Sequence, residues 1–265
     1  MSNYEAKVYL ITGASSGMGK DAALYLASKK VKALTLFSRG KDRLDEVAAQ
    51  IEKEFPQTKT LVVAGDASSA DDNKRAVDET VAAFGGIHGA FVNAGIFRGG
   101  TPIQDTSDAD IDALLNVNVK SVIYAMRYLI PAIKTTVGDS DPAGSIVVNS
   151  SCSAVAVIGP KSAAYGIYSA SKAFVNSLVE TAAIENAPRI RVNSVLPGVV
   201  RTNLMPADDE AYEKAGAALQ PLWGRAGKAR EVSALVGFLL SDEASFISGT
   251  HVKVDGLWTL SGGGL

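Results

Sequence analysis

Tyr168 and Lys172 lie one helical turn apart in a helix-patterned stretch, so their side chains rise from the same face. An unperturbed tyrosine, with a pKa of about 10, is too weak a base at neutral pH, but a neighbouring ammonium stabilises the phenolate. The pair therefore offers a proton donor and acceptor. Such spacing is common on amphipathic helices, and it gains meaning only beside a second site. One stands near the start of the chain, where Gly13, Gly17 and Gly19 follow a strand-length apolar run and open a helical stretch. Glycines there let backbone N–H groups approach a pyrophosphate, whose charge the helix N-terminus favours. Their spacing departs from the strict G-x-G-x-x-G pattern, so the strand-turn-helix setting carries the argument.

About 20 residues beyond such glycines an NAD-binding unit carries an acid for the ribose 2'-hydroxyl. Here that place holds Ser38-Arg39. A hydroxyl and a guanidinium suit a 2'-phosphate, so the expected cofactor is NADP(H); the bland alternative for Arg39 is a solvated charge. A rival reading takes Gly13-Ala14-Ser15-Ser16-Gly17 as a G-x-S-x-G nucleophile elbow, with His251 as its later base. Only one strand precedes Ser15, which leaves no upstream loop for an oxyanion, and the serine hydrolase is the weaker reading.

The elements that must position these residues alternate. Strand-like runs fall at Val8 to Thr12, Ala33 to Phe37, Leu61 to Ala64, Ala90 to Val92, Ser145 to Asn149, Arg191 to Leu196 and Val252 to Val254. Helical periodicity fills most of the gaps, beginning with Gly17 to Lys29. This pattern predicts an α/β fold, a doubly wound parallel sheet with helices on both faces, as one domain over residues 1–265. Ser107 signals the start of a helical stretch ending near Pro131, and Pro188 closes the stretch holding Tyr168. Thr135 to Ala143 reads as a surface loop. Asn203 to Gly227 is too long for a simple connection and is a candidate lid, in which Met205, Tyr212, Leu222 and Trp223 would contribute apolar pocket surface.

Composition narrows the partners. With 47% apolar residues and a net charge of −2, the chain can bury a sizeable core and carries no basic footprint for nucleic acid or an anionic membrane. Small molecules are the expected partners. The single Cys152 has no internal disulfide partner and reads as a small buried residue rather than a redox switch. His88 and His251 lack metal-ligand spacing, so metal-free chemistry is expected. No secretory leader, membrane span or lipidation address is visible, and the default compartment is cytoplasmic.

Taken together, Thr12-Gly13-Ala14-Ser15-Ser16-Gly17-Met18-Gly19, Asn93-Ala94-Gly95, Asn118, Ser150-Ser151, Tyr168-Ser169-Ala170-Ser171-Lys172 and Pro197-Gly198 resemble the short-chain dehydrogenase/reductase family, in its order. Gly224-Arg225-Ala226-Gly227 and Val254-Asp255-Gly256 extend the resemblance, which runs from about Lys7 to Gly256. It implies hydride transfer between NADP(H) and a ketone or secondary alcohol by a tetrad of Asn118, Ser151, Tyr168 and Lys172. In that reading Ser151 hydrogen-bonds the substrate oxygen, Tyr168 passes the proton, and Lys172 holds the nicotinamide ribose. Asn118 would support a water leading from Lys172. The implied cofactor contacts are Gly13, Ser15, Ser16, Gly17, Met18, Gly19, Ser38, Arg39, Asp66, Ala67, Asn93, Ala94, Gly95, Tyr168, Lys172, Pro197, Gly198, Val200 and Thr202. A homotetramer or homodimer is expected, paired through the helices around Ala109 to Ile130 and Tyr168 to Ile184. A dinucleotide-binding sensor or scaffold without turnover is the second reading.

The chain also departs from the family. Val92 stands where a second Asn precedes the Asn-Ala-Gly triplet, and Ser16 replaces a basic residue in the glycine turn, leaving Arg39 as the main phosphate determinant. The Ala154 to Ala164 loop is enlarged, so Ser153 competes with Ser151 for the substrate oxygen.

Overall fold

The protein is described by a computed structural model covering residues 4–139, 144–156, 165–204 and 208–261. Seven strands, all parallel, pair in the order β3-β2-β1-β4-β5-β6-β7. They are β1 (Val8–Thr12), β2 (Ala33–Ser38), β3 (Lys59–Ala64), β4 (Gly89–Val92), β5 (Gly144–Asn149), β6 (Ile190–Pro197) and β7 (His251–Val254). Every strand inferred from the sequence is present. The largest difference is β3, which starts earlier because Lys59 and Thr60 pair with Ala33 and Leu34.

Both faces of the sheet are covered, which is why its strands read as unbroken apolar runs. Tyr9, Ile11, Leu34, Leu36, Phe91 and Val147 face one side, against α1 (Gly17–Ser28), α2 (Lys41–Glu54) and α8 (Ala229–Leu240). Leu10, Phe37, Ala90, Val92, Ile146 and Val148 face the other, against α3 (Ala70–Phe84), α5 (Ser121–Val137) and α6 (Gly166–Asn186). Val92 is thus a core residue in the position where relatives of the resembled family carry Asn.

Two expectations need correction. The stretch opened by Ser107 does not end near Pro131: α4 (Asp108–Leu114) passes through a π-helical turn, Leu115–Lys120, into α5, and Pro131 lies inside that helix. Burial of Leu129, Ile133 and Val137 against the sheet outweighs the hydrogen bond that proline forfeits. Thr135 to Val137 are therefore helical, and the expected loop is shorter. As expected from its length, the segment 203–227 is more than a simple connection: it contains α7 (Asp209–Leu219). Its ends are stitched together by Arg201 N–H to Gly227 O (2.9 Å) and Gly227 N–H to Val199 O (2.8 Å). Met205 and residues 157–164 of the enlarged loop lie outside the described residues. Among the described residues, no helix is long and apolar enough to cross a membrane.

The strand order reverses between β1 and β4. In open parallel sheets the crevice at such a point, beyond the strand C-termini, is the favoured ligand site.

Candidate active site

A cavity of about 470 Å³ occupies that crevice. Every cofactor residue expected from the sequence lines it except Gly17 and Gly19, which back the turn. Gly13 adopts φ +67°, and a Cβ on Gly19 would stand 2.3 Å from Gly13 O, so the turn closes only with glycine. Ser16 caps α1 without a side-chain hydrogen bond, and no acid lies in the first turn. The amide groups and positive end of this helix are left to an incoming anion.

Asn93 braces the strand ends: its Nδ2 donates to Thr12 O (3.1 Å), and its Oδ1 accepts from Asn149 Nδ2 (3.0 Å). Thr12 Oγ1 accepts the amides of Asn93 and Ala94, each at 2.9 Å. Asp66 lines the cavity, yet its Oδ1 is engaged by the Ser68 amide and hydroxyl, so the turn-residue reading of its carboxylate is also met.

At the β2 end, Ser38 Oγ is buried without a partner. Arg39 lines the cavity beside it, and so does Arg43 from the first turn of α2, which sequence reasoning missed. Neither guanidinium has an ion pair or hydrogen bond among the described residues, unlike Arg75, which is held by Asp72 and Glu79. The signal for Arg43 was present as a second arginine one helical turn after Arg39.

The acid/base cluster is buried. Ser151, Tyr168 and Lys172 line the cavity and are less than one-tenth exposed. The Ser150 hydroxyl fixes α6 to the end of β5 by donating to Lys172 O (3.1 Å). Lys172 Nζ donates to Asn149 O (2.9 Å), and burial pushes its pKa down to about 8. Burial pushes Tyr168 up to about 12, while a hydrogen bond with Ser151 pulls the other way. Both shifts run against the expected picture, in which the Lys172 ammonium lowers Tyr168: burial disfavours the charged form of each side chain.

Asn118 does not line the cavity. It sits in the π-helical turn, where its Oδ1 accepts from Ile96 N (2.8 Å) and its Nδ2 donates to Ile96 O (3.0 Å) and Ser171 Oγ (3.2 Å). Its side chain is a clamp on the irregular segment that follows Gly95.

The remaining wall is aromatic and apolar. Phe97 meets Tyr168 and Tyr165 edge-on, with centroids 5.0 and 5.1 Å apart. Tyr212, Leu219 and Trp258 close the opposite side. Trp223 and Leu222, expected in the pocket, are instead exposed and do not line it, and Trp258 supplies the indole. Gln220, also missed, brackets Val199 by accepting its N–H (2.8 Å) and donating to its carbonyl (3.1 Å). Cys152 is buried, and burial pushes its thiol up, away from reactivity. His251 is far from serving Ser15: its ring nitrogens lie at Ser194 Oγ (2.7 Å) and Glu180 Oε1 (3.0 Å), which leaves the hydrolase reading without a base.

The sheet order and the crevice at its switch point define a Rossmann-like oxidoreductase fold, and the chain belongs to the short-chain dehydrogenase/reductase family. A family profile described as enoyl-(acyl carrier protein) reductase matches residues 13–259. The cyclohexanol dehydrogenase of Acinetobacter sp. (strain SE19) is 37% identical over 263 residues, 98% of each chain. A short-chain dehydrogenase from Burkholderia cenocepacia J2315, solved in complex with NADP, superposes with a TM-score of 0.85 at 33% identity, covering 96% of this chain and 98% of that one. The 3-ketoacyl-(acyl-carrier-protein) reductase from Brucella melitensis, solved with NADH, gives 0.85 at 30% identity, covering 97% of this chain and all of the other (100%).

Proposed function

We propose that the protein is an NADP(H)-dependent oxidoreductase that interconverts a ketone and a secondary alcohol, working as a carbonyl reductase. The observation that carries this reading is the enclosure of Ser151, Tyr168 and Lys172 in the same cavity as the uncapped N-terminus of α1.

The residues present fit a nicotinamide dinucleotide. The open helix N-terminus suits its pyrophosphate, and the orphaned Ser38 hydroxyl with two unpaired arginines suits a 2'-phosphate. Bound there, the cofactor supplies the hydride. Tyr168, held at about 12, keeps its proton at neutral pH and donates it to the ketone oxygen. Ser151 donates a hydrogen bond to the same oxygen as negative charge grows on it. Lys172 holds the ribose, and Asn118 acts by fixing Ile96 rather than by touching the reactants.

The walls formed by Phe97, Tyr165, Leu219, Tyr212 and Trp258 suit an apolar, ring-shaped ketone. The cyclohexanol dehydrogenase relative acts on an alcohol of that shape by its name. The segment 203–227, pinned at both ends, serves as the lid. Exposed Phe174 and Ile184 on α6 support a homo-oligomer.

The test is nucleotide binding followed by turnover. Tryptophan fluorescence should report tighter binding of NADPH than NADH, and cyclohexanone should then oxidise NADPH. No binding of either nucleotide would overturn the reading. Ketone turnover unchanged in Tyr168→Phe would instead return the scaffold reading or move the chemistry elsewhere.

A further inference from the structure

We infer that Ser153 is a positioning residue for Ser151, filling both acceptor positions of its hydroxyl and so committing its single proton to the reacting oxygen. This rests on the reductase reading above.

Ser151 caps a short 3-10 turn, Cys152–Ala154, closed by Ala154 N–H to Ser151 O (3.0 Å) and Val155 N–H to Cys152 O (3.2 Å). Within that turn Ser153 points two donors at one atom. Its amide lies 3.2 Å from Ser151 Oγ, and its hydroxyl donates to the same oxygen at 2.9 Å. A serine hydroxyl has one hydrogen and two lone pairs. With both lone pairs occupied, Ser151 can act only as a donor.

That restriction has a chemical consequence. Beyond Ser153, Ser151 meets the Cys152 thiol and, on the cavity side, the Tyr168 phenol. A Ser151 free to rotate would accept the phenolic hydrogen for part of the time, and the proton needed by the ketone oxygen would be held between the two side chains. A Ser151 saturated by Ser153 cannot accept it. Its own hydrogen points forward instead, to the oxygen where charge develops, and donation from behind polarises it further. Ser151 and Ser153 are both 8% exposed, so these contacts are largely shielded from water. The two serines, which compete for one role in the sequence, thus hold different roles: Ser151 meets the substrate and Ser153 sets its direction.

The experiment is a double-mutant cycle with NADPH and a ketone that the wild type reduces, using S151A, S153A and S151A/S153A, with S153T as the conservative rescue. S151A should lower kcat by about 10²-fold, as loss of an oxyanion donor does. S153A, which keeps the amide donor, should lower kcat by about tenfold, the size of one well-placed hydrogen bond. Ketone KM and the NADPH dissociation constant, read by fluorescence, should stay within about twofold, because complexation is untouched. S153T should recover most of the lost kcat. In the S151A background, S153A should cost nothing further.

An S153A enzyme with full kcat would overturn the inference, and so would losses that multiply in the double variant, since Ser153 would then touch substrate independently. Should S153A not fold, S153G carries the same test, because it also keeps the amide and removes the hydroxyl. A wild type that reduces no ketone with either nucleotide defeats the proposed function itself, an outcome separate from a failed cycle.

Discussion

The two halves of the cavity are made differently. The nucleotide half is largely main chain: the ends of β1, β2 and β4, tied together by Thr12 and Asn93, and a glycine turn, with the Ser38, Arg39 and Arg43 side chains at the β2 end. The substrate half is side chain: Phe97, Tyr165, Tyr212, Leu219 and Trp258, brought from segments far apart in the chain. Backbone walls change only if the fold changes, whereas side-chain walls change with single substitutions. The dinucleotide wall, its arginines aside, is therefore tied to the sheet, and the substrate wall is left free to vary over it.

If this division holds, changes at the point where the halves meet should stop chemistry while leaving binding intact. The largest effect is expected for Tyr168→Phe, which removes the proposed proton donor. Its kcat should fall by about 10² to 10⁴-fold, with NADPH affinity by fluorescence unchanged. A loss of affinity parallel to the loss of rate would break the comparison, because Tyr168 would then belong to the nucleotide half.

Replacing Arg39 and Arg43 together by Ala should weaken NADPH binding by about tenfold or more, the worth of a charge-assisted hydrogen bond. NADH binding should not move. Titrating both nucleotides against the double variant checks it, and an equal loss for both would show that the arginines do not read the 2'-phosphate.

The same contrast explains what the sequence revealed. Seven strands, the glycine turn and the Tyr168–Lys172 pair were readable because backbone-built features leave local signals: apolar runs, glycines and helical spacing. Arg43 was within reach by the same logic. Trp258, Phe97 and Gln220 were not, since their placement depends on how remote segments pack, and Trp223 was the more plausible lid residue by position alone. Pro131 was misread as a terminus because the burial that holds α5 together is tertiary. The electrostatics were misread for a related reason: spacing shows that Lys172 is near Tyr168, but not that both are desolvated.

Phe97→Ala probes the substrate half. It removes an edge-on partner of both Tyr165 and Tyr168, a contact worth about 2 to 10-fold in an equilibrium constant. KM for cyclohexanone should rise by that factor, while bulkier ketones are affected less because the vacated space admits them. NADPH affinity should stay constant. A uniform loss across ketones of all sizes would mean that Phe97 supports Tyr168 rather than shaping the pocket.

The smallest expected effect concerns pH. Burial holds Lys172 at about 8, so its ammonium is present below that pH and is lost as pH rises through it. In the proposed binding mode the ammonium would both attract the anionic dinucleotide and donate to its ribose, so binding should favour the protonated side chain. Affinity for NADPH in the free enzyme should therefore decline a few-fold from about pH 7 to about pH 9, within the limit of about tenfold per pH unit for one linked proton. Lys172→Met should bind more weakly at the lower pH and show no such decline. A slope that persists in that variant would assign the titration to another group and leave Lys172 neutral in the working enzyme, where it could orient the ribose but not attract it.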